Sequence, residues 1–281
     1  MLLIDGDVVK YRAAWGAERS QHAVTYYNAE FDEQIVLLCD DKREAKELIA
    51  SALMEPFDAK IETTIIYEPV EHATRNVESI IEGIMKATSH SPDETLICLS
   101  GGTNFRDDVA TIRPYKGNRD DKRKPTHGDA CVQYMLDNYK CRVSENEEAD
   151  DLMGYLQMEI YRDNSMGSVI ATIDKDLDMI PGMHYNFVKE ESYLVSEEEA
   201  DKNFWRQMII GDTTDNITGV PKKGPKAAAQ AEEDGLLNHE GVLSYYVTAY
   251  GEEEGSKAFI ENGQLLWIRR NKEELWPNVG T

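Results

Sequence analysis

Ser168 to Asp178 reads SVIATIDKDLD. Val169, Ile170, Ala171 and Ile173 form a short, β-branched apolar run without a helical period, the pattern of a strand buried on both faces. Asp174 and Asp176 stand where that strand ends. In an open parallel sheet the chemistry collects in the crevice outside the carboxyl ends of the strands, so two carboxylates there, two residues apart, can face one bound cation. An Asp helix cap followed by a solvated acid explains this stretch alone about as well. Repetition elsewhere in the chain tips the balance.

Leu2 to Asp5 is another apolar run ending in an acid, followed by Gly6, Asp7 and helical spacing from Val8 to Trp15. Thr95 to Leu99 is a third such strand, running into Ser100-Gly101-Gly102, and Cys141 to Val143 a fourth. Glu147, Glu148, Ala149, Asp150 and Asp151 then open a helix whose core face is Leu152, Met153, Leu156 and Ile160. Acids suit a first helical turn because the helix dipole favours them, but this many so close repel unless cations offset them. Around these strands the pattern predicts scaffold. A hairpin on the sheet edge uses Ala23 to Tyr27 and Ile35 to Cys39, with Asn28 to Glu33 as its loop. A helix over Asp41 to Met54 ends at Pro56, a strand covers Ile61 to Tyr67, and Val77, Ile80, Ile81 and Ile84 mark a further amphipathic helix. Tyr185 to Val188 with Tyr193 to Val195 predict a second hairpin, and Glu197 to Ile210 a helix. The fold class is α/β, a central mostly parallel sheet flanked by helices.

With 281 residues the chain has room for one large α/β domain, or a main domain with a smaller appendage. Its four cysteines form no CxxC pair, which predicts reduced thiols, no structural zinc and a cytoplasmic setting, the host cytoplasm if the source is viral. MLLIDGD has no basic n-region and no long apolar span, so secretion and membrane association are not expected. The six histidines show no ligand spacing and are expected in ordinary surface roles. A net charge of −23 would ordinarily argue against nucleic acid. Binding depends on local potential, however, and acids that hold divalent cations present a cationic face once loaded.

Two stretches run against the acidic background. Between Arg106 and His127 apolar residues thin out, and Arg106, Arg113, Lys116, Arg119, Lys122, Arg123 and Lys124 outnumber Asp107, Asp108, Asp120 and Asp121. Tyr115 beside Lys116 and Arg119 suits phosphate contact and base stacking. Further on, Asp212 and Asp215 precede a Gly-rich turn and a helix beginning near Pro225, with Lys222, Lys223 and Lys226 beside the exposed N–H groups. That is a phosphate-binding arrangement of backbone and lysine.

Four separated strand ends or helix starts thus carry acids: Asp5; Glu148, Asp150 and Asp151; Asp174 and Asp176; Asp212 and Asp215. They have no obvious paired lysines. Gathered at one edge of a sheet they could not all stay ionised without divalent cations, so a two-metal site of oxygen ligands is the economical explanation.

In combination LLIDGD, EADD, TIDKDLD, YKGNR and GDTTDNITGVPKKGPKAA resemble the motifs of the flap endonuclease and 5′→3′ exonuclease family, which has a PIN-like fold, and in particular its bacteriophage members. The resemblance covers most of the chain. It implies a PIN-like catalytic domain over 1–210, with a flexible arch at about 103–138, and a helix-hairpin-helix DNA-binding and C-terminal helical region over 211–281 packed on it. It makes Asp5, Glu148, Asp150, Asp151, Asp174, Asp176, Asp212 and Asp215 metal-site acids, holding two Mg²⁺ or Mn²⁺. Lys116, Arg119 and Asp174 become catalytic. DNA contacts fall to Arg113, Tyr115, Lys116, Arg119, Lys122, Arg123, Lys124, Gly219, Val220, Lys222, Lys223, Gly224 and Lys226, with K⁺ at the hairpin turn. The activity implied is hydrolysis near DNA 5′ ends, flaps or nicks, with RNA–DNA hybrid as a further substrate, by a monomer working with replication proteins. One departure stands out: the family normally has an Asp after the strand ending at Leu99, where this chain has Ser100.

Other readings stay open on residues alone. DGDVV and GDTTD resemble the motifs of a haloacid-dehalogenase-type phosphatase, with Asp5 as nucleophile, Asp7 as acid/base and Lys175 on the phosphate. That leaves EADD, YKGNR and the lysine-flanked turn without a task. A DNA-end-binding protein disabled by Ser100 would bind DNA without turnover, and a PIN-type ribonuclease shares the acids but usually lacks the helix-hairpin-helix segment.

Overall fold

The computed structural model describes residues 1–28, 33–50, 59–119, 122–164 and 166–277. In chain order its elements are β1 (Leu2–Asp5), α1 (Gly6–Trp15), β2 (Glu18–Asn28), β3 (Glu33–Cys39), α2 (Lys42–Ala50), β4 (Lys60–Tyr67), α3 (Val70–Thr88), β5 (Thr95–Leu99), α4 (Phe105–Val109), α5 (Gly128–Asn138), β6 (Cys141–Val143) and α6 (Ala149–Tyr161). They continue with β7 (Val169–Ala171), β8 (Gly182–Asn186), β9 (Glu191–Val195), α7 (Glu197–Ile210), β10 (Gly211–Asp212), β11 (Ile217–Thr218), α8 (Pro225–Glu233), α9 (His239–Tyr250) and α10 (Glu252–Leu266). Short 3-10 turns lie at Gly117–Arg119 and Asp176–Met179, among others.

The chain packs as two compact units. The first comprises Met1–Val9, Ile81–Arg123 and Met135–Thr281. Its six-stranded sheet has the order β6-β5-β1-β7-β8-β9, parallel throughout except for the β8–β9 hairpin. β1 and β5 are buried at every residue, as their uninterrupted apolar runs require. Leu3, Cys98 and Ile170 pack against Leu152, Met153 and Tyr155 of α6 on one face. A second core joins Phe204, Met208 and Ile209 of α7 to Ala228 and Ala231 of α8, Val242 and Tyr246 of α9, and Phe259 and Leu266 of α10. Helix α7 and the three helices after it therefore share one core, within the unit that holds the six-stranded sheet. The stretch 103–138 passes from one unit to the other between Arg123 and Lys124 and returns after Tyr134.

The second unit, Lys10–Ile80 with Lys124–Tyr134, holds a three-stranded antiparallel sheet ordered β3-β2-β4. Val24, Cys39 and Ala45 form its small core, with Leu37, Leu48, Ile49 and Ile61 against them. This corrects the expectation of a hairpin on the edge of the central sheet: the hairpin exists, but β4 completes a separate sheet with it. The loop expected over Asn28 to Glu33 and the helix end expected at Met54 and Pro56 lie partly or wholly outside the described residues.

Late aromatics lock the end of the first unit. A Cβ on Gly263 would sit 2.2 Å from Cε3 of Trp276, whose ring also meets Phe259 edge-on at 5.1 Å. Gly263→Ala is expected to destabilise the protein by about 1–3 kcal/mol through overpacking, read as a lower urea midpoint with an unchanged m-value.

Candidate active site

Parallel strands deliver their carboxyl ends to one side of the sheet, which brings Asp5, the acids at the start of α6 and Asp174 together. β7 ends at Ala171, two residues earlier than the apolar run predicts, and Asp212 and Asp215 come from the separate β10–β11 pair. Asp5 is the last residue of β1 and is 2% exposed. Its carboxylate accepts from the Val8 N–H at 3.0 Å and from the Thr172 hydroxyl at 2.7 Å. The same hydroxyl accepts from the Asp174 N–H at 3.0 Å, and the Asp174 carboxylate accepts from the Asp176 N–H at 3.0 Å. Gln207 Nε2 donates to Asp176 at 3.0 Å. Glu148 caps α6, with Asp150 in the first turn. Asp212 winds the tight connection between β10 and β11, accepting from the Thr214 N–H at 2.6 Å.

Glu148, Asp150, Asp176, Asp212 and Asp215 line one cleft, together with Tyr115 and Gln207. Its free volume, about 20 Å³, suits about one water molecule. Desolvation and crowding of like charges dominate its electrostatics. Burial, with the charges of Asp7 and Asp174 adding to it, pushes Asp5 up to about 7. Burial and the charges of Asp174 and Asp212 push Asp176 up to about 7. Asp150 is raised well above the carboxylate range by burial and then by Asp5, Asp174 and Glu148. Asp174, exposed as a whole residue, is raised by partial desolvation of its carboxyl and by Asp215 and Asp212.

Such a set suits a hard divalent cation: its donors are all oxygen, and its negative charge is in excess. Among the described residues no three His, Cys, Asp or Glu side chains converge at metal-ligand spacing.

Cationic residues face the acids, contrary to the expectation that the acids have no basic partners. Lys116 Nζ pairs with Glu148 and stands 3.6 Å from Asp215, and Arg119 pairs with Asp215. Burial alone would lower Lys116, but the Glu148 and Asp215 charges outweigh it and raise it. The backbone fixes this meeting, because the Lys116 N–H donates to Asp215 O at 2.9 Å and Asn118 Nδ2 to Thr213 O at 2.7 Å. Lys116 holds a left-handed φ of 54° to turn the chain there.

Asp151 stands apart from the other acids. Arg106 grips it with two bonds of 2.5 and 2.9 Å, and the N–H groups of Glu148 and Arg269 donate to it at 3.2 and 3.1 Å. Burial would raise Asp151, but Arg106 and these donors lower it on balance. With its lone pairs spent on the fold, Asp151 is a structural carboxylate and leaves the candidate metal set. No local pattern announces this, since Arg106 reads in the sequence as one more arch cation.

Tyr115 also departs from the reading as a stacking aromatic. It is buried, and its hydroxyl lies 2.8 Å from both Glu148 and Asp215. Val220 is likewise a core residue whose N–H donates to Ile209 O at 3.0 Å, which leaves no donor there for phosphate. Gly219 is buried, with its Cα packed close to Gly211 and the end of α7. Lys222, Lys223 and Lys226 are exposed around the start of α8, and Gly224 is its N-cap, with open space beside its Cα. Arg113, Lys122, Arg123 and Lys124 are exposed as well. Among the histidines, His22 and His184 are buried rather than on the surface: His22 meets the Thr63 hydroxyl at 2.9 Å and His184 bonds Ile180 O at 2.8 Å. The cysteines are all free thiols.

Fold and site define a class of α/β protein whose parallel sheet carries an oxygen-donor cleft, faced by lysine and arginine, at its carboxyl edge. No protein-family model matches the chain. It is 24% identical to the exodeoxyribonuclease of Enterobacteria phage T3 over 99% of this chain and 79% of that protein, and 23% identical to the exonuclease of Escherichia phage T7 over 99% and 80%. Its fold is similar to that of the bacteriophage T5 5′-exonuclease solved with zinc, at a TM-score of 0.58 and 14% identity over 95% of this chain and 88% of that one. Along nearly its whole length the chain is thus similar to bacteriophage exonucleases, and over 42% of it the chain is 30% identical to the flap endonuclease Xni of Aeromonas salmonicida.

Proposed function

We propose that the protein is a divalent-metal-dependent 5′→3′ exonuclease and flap endonuclease that hydrolyses phosphodiesters near DNA 5′ ends. The observation that carries this reading is the meeting of acid cluster and cations: Glu148, Asp150, Asp176, Asp212 and Asp215 line one cleft, and Lys116 and Arg119 close on it. Glu148, Asp150, Asp174, Asp176, Asp212 and Asp215 would hold divalent cations there, which would supply an activated water and stabilise charge on the leaving 3′ oxygen. The chain's own groups do the rest. Lys116 and Arg119 offset charge developing on the scissile phosphate, and Gln207 and Thr172 orient Asp176 and Asp174. Lys222, Lys223 and Lys226 at the start of α8 hold duplex phosphate away from the cleft, which gives 211–281 its role. Two Mg²⁺ or Mn²⁺ ions, a K⁺ at the hairpin turn, monomeric action and service in replication complete the proposal. A phosphatase with Asp5 as nucleophile is disfavoured, since Asp5 is buried and both its oxygens are held by Val8 and Thr172.

The test uses nicked and flapped duplexes labelled at either end, with Mg²⁺ or with EDTA, and an Asp174→Ala variant. Release from the 5′ end that needs metal and falls roughly 10²–10³-fold in Asp174→Ala is expected. DNA binding without cleavage, or hydrolysis of p-nitrophenyl phosphate alone, would overturn the reading.

A further inference from the structure

Position 100 closes β5, the neighbour of β1, and its side chain gives nothing to the acidic cleft: the Ser100 hydroxyl accepts from the Ala149 N–H at 2.9 Å, at the start of α6. A carboxylate is nevertheless present at that strand end. Asp7 Oδ2 accepts from the Ser100 N–H at 3.2 Å, across 93 residues of sequence. Gly6 makes the approach feasible, because a Cβ there would lie 2.6 Å from Leu99 Cδ2 and 2.7 Å from Cys98 O, so only glycine lets the start of α1 press onto the end of β5. Asp7 follows Asp5, the last residue of β1, by two positions.

We infer that Asp7 supplies the carboxylate beside β5 for the divalent-cation site, in the place where the chain carries Ser100. This rests on the metal-dependent reading above. An acid in a first helical turn has a simpler use, since it complements the helix dipole and stabilises α1. The two roles have opposite signatures. A dipole acid stabilises the chelated protein, whereas a carboxylate crowded against Asp5 adds repulsion that a bound cation relieves. One oxygen held by a backbone N–H is the usual way a ligand carboxylate is oriented toward its ion.

The deciding experiment titrates Mn²⁺ into the full chain without DNA, by electron paramagnetic resonance, and records the melting temperature in EDTA at pH 8. Wild type, Asp7→Asn, Asp176→Asn and Asp7→Asn with Ser100→Asp are compared. Asp7→Asn is expected to weaken Mn²⁺ binding roughly 10–100-fold with no fall in the chelated melting temperature, and Ser100→Asp to restore part of the affinity. Unchanged Mn²⁺ affinity in Asp7→Asn, while Asp176→Asn loses it, would overturn the inference and leave the metal site standing. Affinity lost only together with a lower chelated melting temperature would also overturn it, in favour of the helix role. A wild-type chain that takes up no Mn²⁺ would sink the metal-dependent reading itself, and this inference with it.

Discussion

Arg106→Met will destabilise the protein by roughly 3–5 kcal/mol, because it breaks a buried ion pair from one side. Arg106 is 2% exposed, and its guanidinium makes the two bonds to Asp151 and donates to Leu265 O and Trp267 O, both at 2.8 Å. Removing it strands a buried carboxylate and two carbonyl groups at once. The pH dependence then inverts. In the wild type Asp151 is held below its ordinary range, so its contribution is present above the unfolded pKa and fades only as pH falls through the lowered folded value. In the variant burial stands without Arg106 and raises Asp151, so the loss is deepest at neutral pH and shrinks toward pH 5. Urea denaturation at pH 5 and pH 8 measures this. Asp151→Leu added to Arg106→Met should recover part of the loss by removing the orphaned charge. A loss under about 1 kcal/mol at pH 8 would show that water reaches the pair.

The second large effect comes from Asp176→Asn, which should move stability and activity in opposite directions. Burial and the neighbouring acids raise Asp176 to about 7, while an unfolded Asp ionises near its ordinary value. The folded chain therefore binds the proton more tightly than the unfolded chain between about pH 4 and pH 7, and stability falls as pH rises through that window. An amide keeps an oxygen for Gln207 Nε2 and carries no charge to desolvate. In EDTA at pH 8 the variant should be more stable than wild type by roughly 1–3 kcal/mol, less than the full shift implies because the site is partly solvated. At pH 5, where Asp176 is already protonated, the gain should vanish. Metal-dependent cleavage of flapped DNA should fall at least roughly 100-fold, with Mn²⁺ affinity down alongside. Wild-type cleavage rates in Asp176→Asn would remove this residue from the chemistry, and a variant less stable than wild type at pH 8 would contradict the crowded-acid picture.

The sequence alone determined the parallel sheet and its acidic edge. LLID, TLICL and SVIATID are apolar runs too continuous for an amphipathic helix, and burial on both faces is the state that accommodates them. Asp5 ends β1, Asp174 follows β7 by three residues and Glu148 and Asp150 open α6 after β6, so their gathering is a consequence of parallel topology, whereas Asp212 and Asp215 arrive from the separate β10–β11 pair. The long helices and the β8–β9 hairpin were legible for the same reason, since periodicity is a local property. The partners of β2 and β3 were not. An edge hairpin of the main sheet and a separate three-stranded sheet have the same alternation, and pairing with β4 is settled by packing across distant sequence.

Only the tertiary structure sorted the charged side chains. Asp150 and Asp151 are adjacent, yet one faces the cleft and the other Arg106, because successive helical residues diverge by about 100° and each meets a different neighbour. Tyr115 reads as a stacking ring until its hydroxyl is found between Glu148 and Asp215. Ser100 reads as a missing acid until Asp7 is found bonded to its N–H. Composition and spacing fix how many charges arrive at an edge of the sheet. Which of them are neutralised by a partner depends on contacts between residues tens to more than a hundred positions apart, where sequence order carries no signal.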